Sequence, residues 1–472
     1  MMLAQLEPVA TTSIRAIGLY AVVAVGAMLT LAWRSEIGIY LLAVLLPLQT
    51  TRYHLHAFPL GANIVDILIL CVLTGSVIRS NGKLAYRSAT AGFLVLLSIF
   101  YLASLWRGAF YLGGSLPVWI SDPRLVDYKN FVVMPLLAFA VVRVIRTRKQ
   151  IATILVLCGI TALAVDYSYL KSSLGRDFGH YSEETRDAGP LGYAGENGLA
   201  SYLVETTAFV LPMLALRKHQ WLRLFALLVA AANTICILFS YSREAYLALA
   251  VALCFLAVVK VRWLFIPILL LVVCWQAILP AAVQERIAMT YSKPNDGMAA
   301  ELDASAQERV MLWTDAMGLF RQNPVIGTGF LTYAELSRVG SYKDTHNFYL
   351  KMLVETGLVG LVLFVVQLFL LFKEGLQLFT RGRESFLSLL GLGYAGLILT
   401  AAIVNFFGDR WMFIQVDSNL WILLGCVFCA SSLAMESRRQ PQHARAAVTP
   451  RVAPWARVTP AIACGETTQC PQ

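Results

Sequence analysis

Apolar runs close to the length that crosses a bilayer, about 20 residues, recur along this chain from Ile17 to Met435, and no linker between them is long enough to separate compact soluble units. A chain built this way has to satisfy its backbone polar groups inside its own helices, because hydrocarbon offers them no partner. Composition agrees, since charged residues make up 14% of the chain against about 25% in soluble globular domains. The runs are Ile17–Trp33, Ile64–Ile78, Ala89–Trp106, Phe131–Ile145, Ile151–Leu170, Leu199–Leu216, Leu222–Phe239, Ala245–Val259, Trp263–Pro280, Phe348–Phe372, Phe386–Phe406 and Leu420–Met435. A shorter one at Ile37–Leu48 suits a tilted or re-entrant segment. The sequence therefore predicts an all-α integral membrane protein of about 12–13 transmembrane helices, with residues 1–435 forming one polytopic domain. The first run follows Arg15 but lacks the small-residue cleavage pattern of a signal peptide, so it is expected to stay as a helix.

The formal charge of +10 does not point to nucleic acid, because Lys and Arg sit in short clusters between the apolar runs rather than on one stripe. Arg79, Lys83 and Arg87, then Arg143, Arg146, Arg148 and Lys149, then Arg217, Lys218 and Arg223, then Lys260 and Arg262, then Lys373, Arg381 and Arg383 fall on alternate connections. Cations near helix ends are retained on the cytoplasmic side, so these connections are read as cytoplasmic. Residues 436–472, rich in Pro, Ala and Arg, read as a basic, disordered cytoplasmic tail. The nine cysteines lie mostly inside apolar runs, where a thiol behaves as a small hydrophobe. Cys426 and Cys429 have CxxC spacing but no second pair, which favours helix packing over a metal or redox site.

The remaining connections face the other, external side, and two of them, about 171–196 and 281–345, are long. Within the second, Ser305–Gln322 places Val310, Trp313, Met317 and Phe320 on one helical face, as an amphipathic helix at the outer interface would. Arg243 stands at the external end of two adjacent runs, where an Arg either faces a cavity or snorkels to the headgroups, and Glu244 beside it is a candidate partner. His346 opens a run, followed by Asn347, Tyr349 and Lys351. An interfacial His is often only a hydrogen-bonded structural residue, yet an imidazole is also suited to take a proton from an attacking hydroxyl. Arg186, Arg176 and Arg309 add cations on the same side, and several guanidinium groups converging would hold a pyrophosphate, whereas each alone reads as a solvated loop charge, Arg176 above all. No DxD, HExxH, Walker or GxSxG motif is found, so neither a metal-dependent nucleotide-sugar transferase nor an ATP-driven pump is supported.

These segments resemble the O-antigen ligase and O-antigen polymerase superfamily of bacterial envelope glycan assembly. The similarity is carried by RVMLWTDAMGLFRQNPVIGTGF followed by THNFYLKMLVETGLVGL: an Arg and a Trp on a helix, a Pro-x-x-Gly-x-Gly turn, then His-Asn opening a span that ends in Glu-x-Gly-x-x-Gly. Pro324, Gly327, Gly329, His346, Asn347, Glu355, Gly357 and Gly360 occupy those places. Upstream, Ser242-Arg243 at a span start and Arg186, Gly189, Asn197 and Ala200 in RDAGPLGYAGENGLASYL fit the same family, whereas Glu244 departs from the small residue usual after the Arg.

The resemblance implies a glycan transferase at the bacterial inner membrane with its site facing the periplasm. Its donor would be an undecaprenyl-diphosphate-linked glycan, and its acceptor a sugar hydroxyl on lipid A-core for a ligase, or on a second lipid-linked glycan for a polymerase. By the same resemblance Arg243, with Arg186 or Arg309, would bind the diphosphate, and His346 would orient or deprotonate the acceptor hydroxyl for an inverting displacement. Asn197 and Asn347 would belong to the substrate site, and no metal or cofactor is expected. Two readings of other classes stand beside it. A secondary transporter or lipid-linked glycan flippase would show repeated halves and charges at mid-membrane, and a non-catalytic assembly protein would merely share the fold.

Overall fold

The computed structural model describes residues 14–48, 63–79, 88–119, 121–176, 179–183, 186–193, 195–289, 291–292, 301–302, 304–339, 344–382 and 384–448. The chain is an all-α integral membrane protein. Its helices are α1 (Ile14–Ala32), α2 (Glu36–Leu45), α3 (Ile64–Arg79), α4 (Ala89–Tyr111), α5 (Pro123–Val144), α6 (Arg148–Ser172), α7 (Glu196–Val210), α8 (Gln220–Phe239), α9 (Arg243–Val259), α10 (Phe265–Ile278), α11 (Ala281–Ala288), α12 (Ala304–Gln322), α13 (Thr332–Leu336), α14 (Phe348–Arg381), α15 (Ser385–Val404) and α16 (Ile414–Val448). The remaining regular pairing among the described residues is a two-residue antiparallel bridge of Tyr291–Ser292 with Glu301–Leu302.

Each apolar run of the sequence contains a helix, but fewer of the helices than expected are full spans. Eight of the described helices are long and apolar enough to cross a membrane, or nine if α10 and α11, bent by 101°, form one broken span. The difference from 12–13 is one of length. Helix α3 has 16 residues, α9 has 17 and α2 has 10, and a helix of 17 residues rises about 25 Å against about 30 Å of hydrocarbon. The runs behind these helices are themselves short, as Ala245–Val259 is between Ser242-Arg243 and Lys260, and the helices extend little beyond them. At the C-terminus α16 continues to Val448, inside the stretch read as a tail, and residues 449–472 lie outside the described ones.

The middle of the bundle is α7, whose residues from Gly198 to Val210 are all buried. A helix buried on every side needs neighbours all round, and α15, α8, α9 and α16 supply them, with α14 packed on α15 and α5 on α16. Local sequence fixes where helices begin: Thr147 and Gln150 form a reciprocal capping box at α6, and Asp122 caps α5 with Pro123 in its first turn. Both arrangements satisfy amide groups that have no partner within the helix.

The basic clusters collect at one end. Arg79 shares a crevice with Arg143 and Arg146. Arg148 and Lys149 share a second with Lys218, and Arg217, Lys218, Arg223, Lys260 and Arg262 line a third. Lys83, Arg87 and Arg383 lie outside the described residues.

Helix α14 is broken at Gly357, where φ is +68° and ψ is −169°, a conformation essentially reserved for glycine. The break is filled by the turn after α12. Leu358 N–H donates to the Pro324 carbonyl at 2.9 Å and Val359 N–H to the Val325 carbonyl at 3.2 Å, while the carbonyls of Val354 and Glu355 accept from Thr328 and Gly329 at 3.0 and 2.6 Å. The two glycine motifs of the sequence are therefore the halves of one interlock. Arg107 of α4 locks the turn by donating from Nε to the Gly327 carbonyl at 2.8 Å. A Cβ at Gly357 would lie 2.2 Å from the Val325 oxygen. Gly357→Ala is expected to cost at least the roughly 1–3 kcal/mol of backbone strain, seen as a lower unfolding midpoint in detergent. An unchanged midpoint would show that the interlock does not support the fold.

Candidate functional site

The site begins in the loop between α6 and α7. Arg176 pairs with Asp187, so it is tied within its own loop rather than aimed at the cluster. Arg186, 11% exposed, lies 3.1 Å from Glu183 and 2.8 Å from Glu196. It also donates to Asn197 Oδ1 at 3.2 Å. Burial opposes its charge, but Glu196 and Glu183 more than compensate and raise its pKa above the ordinary value. Asn197 is the joint: the same oxygen accepts from Ser242 Oγ at 2.8 Å, which binds the start of α7 to the corner where Tyr241, at φ +54°, turns the chain into α9.

Arg243 is the first residue of α9. Its charge and that of Arg186 both oppose the charge of Arg286 on α11. Arg286 lies 3.2 Å from Glu183 and stacks over the Tyr181 ring at 4.7 Å, while Tyr181 packs edge-on against Tyr241. Arg186 and Arg286 thus share one glutamate, and the field of Arg243 reaches Arg286.

Glu244 carries the connection onward. Its buried carboxylate lies 3.8 Å from Arg309 and 3.5 Å from Arg410, so the partners of this residue come from α12 and from the turn before α16. Arg309 also sits over the Phe407 ring at 5.9 Å, and its charge acts on His346. One turn further along α12, Trp313 donates to the Thr345 carbonyl at 3.1 Å and holds the turn that carries the histidine.

Helix α12 matches the predicted amphipathic stretch, but its buried face is rotated. Leu312, Ala316 and Leu319 are buried, whereas Val310 is 48% exposed. Ala316 and Leu319 pack with Tyr333 and Val354, so the helix is clamped on α14.

His346 has φ +50°. Asp344 Oδ1 accepts from its backbone N–H at 2.9 Å and lies 2.9 Å from its Nδ1. That hydrogen bond pushes the His346 pKa up from the ordinary imidazole value against the opposing effect of burial. In return, although burial works against ionisation, the contact with His346 holds the Asp344 carboxyl down to about 2. Beneath them Asp409, whose field reaches His346, makes a buried ion pair with Lys351 at 2.9 Å. Asn347, placed in the substrate site by resemblance, here caps α14 by accepting from Leu350 N–H at 3.1 Å.

The structure thus joins Arg186, Asn197, Arg243, Arg309 and His346 in one chain of contacts and fields, at the end of the bundle where α7, α9, α14 and α16 begin. Sequence reasoning missed Arg286, Arg410 and Asp344. Arg410 and Asp344 each adjoin a span end, the feature that singled out Arg243, whereas Arg286 sits in a short stretch with no distinguishing pattern.

No curated protein sequence matches the chain. A family model described as O-antigen ligase matches residues 207–365, a segment that holds Arg243, Glu244, Arg309, Trp313, His346, Glu355 and both glycine motifs but begins after Arg186 and Asn197. That match supports, over this segment, the similarity to the O-antigen ligase and polymerase superfamily that the motifs carry.

Proposed function

We propose that the protein is a ligase that moves a glycan from undecaprenyl diphosphate to a sugar hydroxyl of lipid A-core, at the periplasmic face of a bacterial inner membrane. The observation that carries this reading is the row of guanidinium groups, Arg186, Arg243, Arg286, Arg309 and Arg410, running up to an Asp-held histidine. The orientation follows from the Lys and Arg clusters at the opposite end, which cells retain in the cytoplasm.

In the step we envisage, the acceptor oxygen attacks the anomeric carbon as the bond from that carbon to the diphosphate oxygen breaks, inverting the centre. Nδ1 of His346 is engaged by Asp344, so the acceptor proton passes to Nε2. The charge left on the polyprenyl diphosphate is met by Arg243 with Arg186 or Arg309, already in place before the reaction, so little reorganisation is needed. Asn197 holds Arg186 and Ser242 in register. Cleavage of the sugar-diphosphate bond drives the transfer.

A general base must be neutral, and Asp344 stabilises the charged imidazole. Asp344→Asn therefore shifts the acid limb of the pH–rate profile to lower pH and lowers the plateau, because the ring loses its orienting partner. A profile that stays in place would separate Asp344 from the titration. Deleting the gene and analysing the glycans tests the activity: unlinked full-length polymer identifies a ligase, single uncapped repeat units a polymerase, and unaltered glycan linkage ends the enzymatic reading.

A further inference from the structure

At the end of the bundle away from the arginine row, three helix connections close around a cavity of about 1070 Å³. Arg217, Lys218 and Arg223 enter it from the α7–α8 side, Lys260 and Arg262 from the α9–α10 side, and Ser385 and Ser388 from the start of α15. Among the described residues, no carboxylate lines it. Glu384, which borders the adjoining crevice, is paired with Arg148 instead. Retention of cations on one side of a membrane explains their presence in separate loops, but not their gathering around one concavity. Like charges within a Debye length of about 8 Å repel, so this arrangement calls for an anion.

The walls indicate which kind. Leu214, Val259, Val261, Trp263 and Leu389 give the cavity an apolar lining beside its charged rim. Trp263 is 49% exposed, Trp221 by the adjoining crevice 59%, and exposed indoles of this kind sit at the headgroup level of a bilayer. Helix α10, which begins two residues after the lining Trp263, has no buried residue and presents Phe265, Ile266 and Leu269 outward, a surface for acyl chains. A bare phosphate would use the cations and leave the apolar walls and most of the volume unfilled.

We infer that this cavity binds the headgroup of an anionic phospholipid, with its phosphates among Arg217, Lys218, Arg223, Lys260 and Arg262 and its chains along α10. The site is separate from the transfer chemistry and anchors the ends of α7, α9 and α14, the helices that begin at the arginine row.

The test is lipid retention by the purified full-length protein, read by native mass spectrometry and by the unfolding midpoint during titration with cardiolipin, phosphatidylglycerol, phosphatidylcholine or inorganic pyrophosphate. A cavity triple, Arg217→Gln, Lys260→Gln and Arg262→Gln, is compared with a control triple, Arg34→Gln, Arg143→Gln and Arg146→Gln, which removes the same charge from another crevice at the same end. Wild type and control are expected to retain cardiolipin and gain stability saturably, with no response to phosphatidylcholine. The cavity triple should bind about a hundredfold more weakly, since each surface cation contributes roughly fivefold to association with anionic lipid. If the triple does not fold, Lys260→Gln and Arg262→Gln are made singly, and each should weaken retention. Equal losses in the two triples would mean diffuse surface charge, and undiminished binding by the cavity variants would place the lipid elsewhere. Pyrophosphate acting as well as cardiolipin would make this a site for a free anion. Any of these outcomes overturns the inference.

Discussion

Replacing His346 with alanine is expected to lower glycan transfer by about 10²–10⁴, the usual worth of a positioned general base, while the protein still inserts and elutes as a single species. The histidine lies in a left-handed backbone conformation at φ +50°, so alanine there adds a conformational cost unrelated to chemistry. His346→Asn removes that ambiguity: asparagine tolerates the left-handed region far better and still hydrogen-bonds, but cannot accept a proton at neutral pH. Both variants should lose transfer alike. The turn itself is held by Trp313 on the Thr345 carbonyl and by Asp344 on the backbone amide, neither of which needs the imidazole. Normal turnover in His346→Asn would remove the base assignment and leave the residue a structural role.

Hydropathy was enough to read the helices, because the apolar runs persist through the chain whatever their tertiary partners. It could not separate a full span from a helix such as α9, whose 17 residues lie between the Tyr241–Ser242 corner and Lys260. The face of α12 was misplaced for a related reason. Val310, Trp313 and Met317 recur at nearly the same helical spacing as Leu312, Ala316 and Leu319, and only the docking of Ala316 against α14 decides between them. At the site, Glu244 read as a neighbour for Arg243, while its carboxylate lies against Arg309 and Arg410, which are distant in sequence. Glu355 was recognised as part of a motif, but its work was not legible: its side chain accepts from Leu331 and Tyr333 N–H at 2.9 and 3.2 Å, a contact that exists only once the 324–329 turn fills the break in α14.

For Arg243 a structural role and a role in binding the diphosphate predict different outcomes. The residue opens α9, where the helix dipole disfavours a cation, and Arg286 adds a repelling charge. Arg243→Ala is expected to move the unfolding midpoint little in comparison with its effect on transfer. Transfer should nevertheless fall by about 10²–10³, the cost of deleting one preorganised group at a developing charge. Arg243→Lys keeps the charge but loses the planar fork that meets two phosphate oxygens at once, so it should recover little of the rate. The loss should fall on kcat more than on the donor KM if the guanidinium acts chiefly on the leaving group. A variant that is destabilised and inactive in proportion would point to a packing residue. Loss of transfer in a protein as stable as the parent matches a cation kept at a helix start for the sake of what it binds.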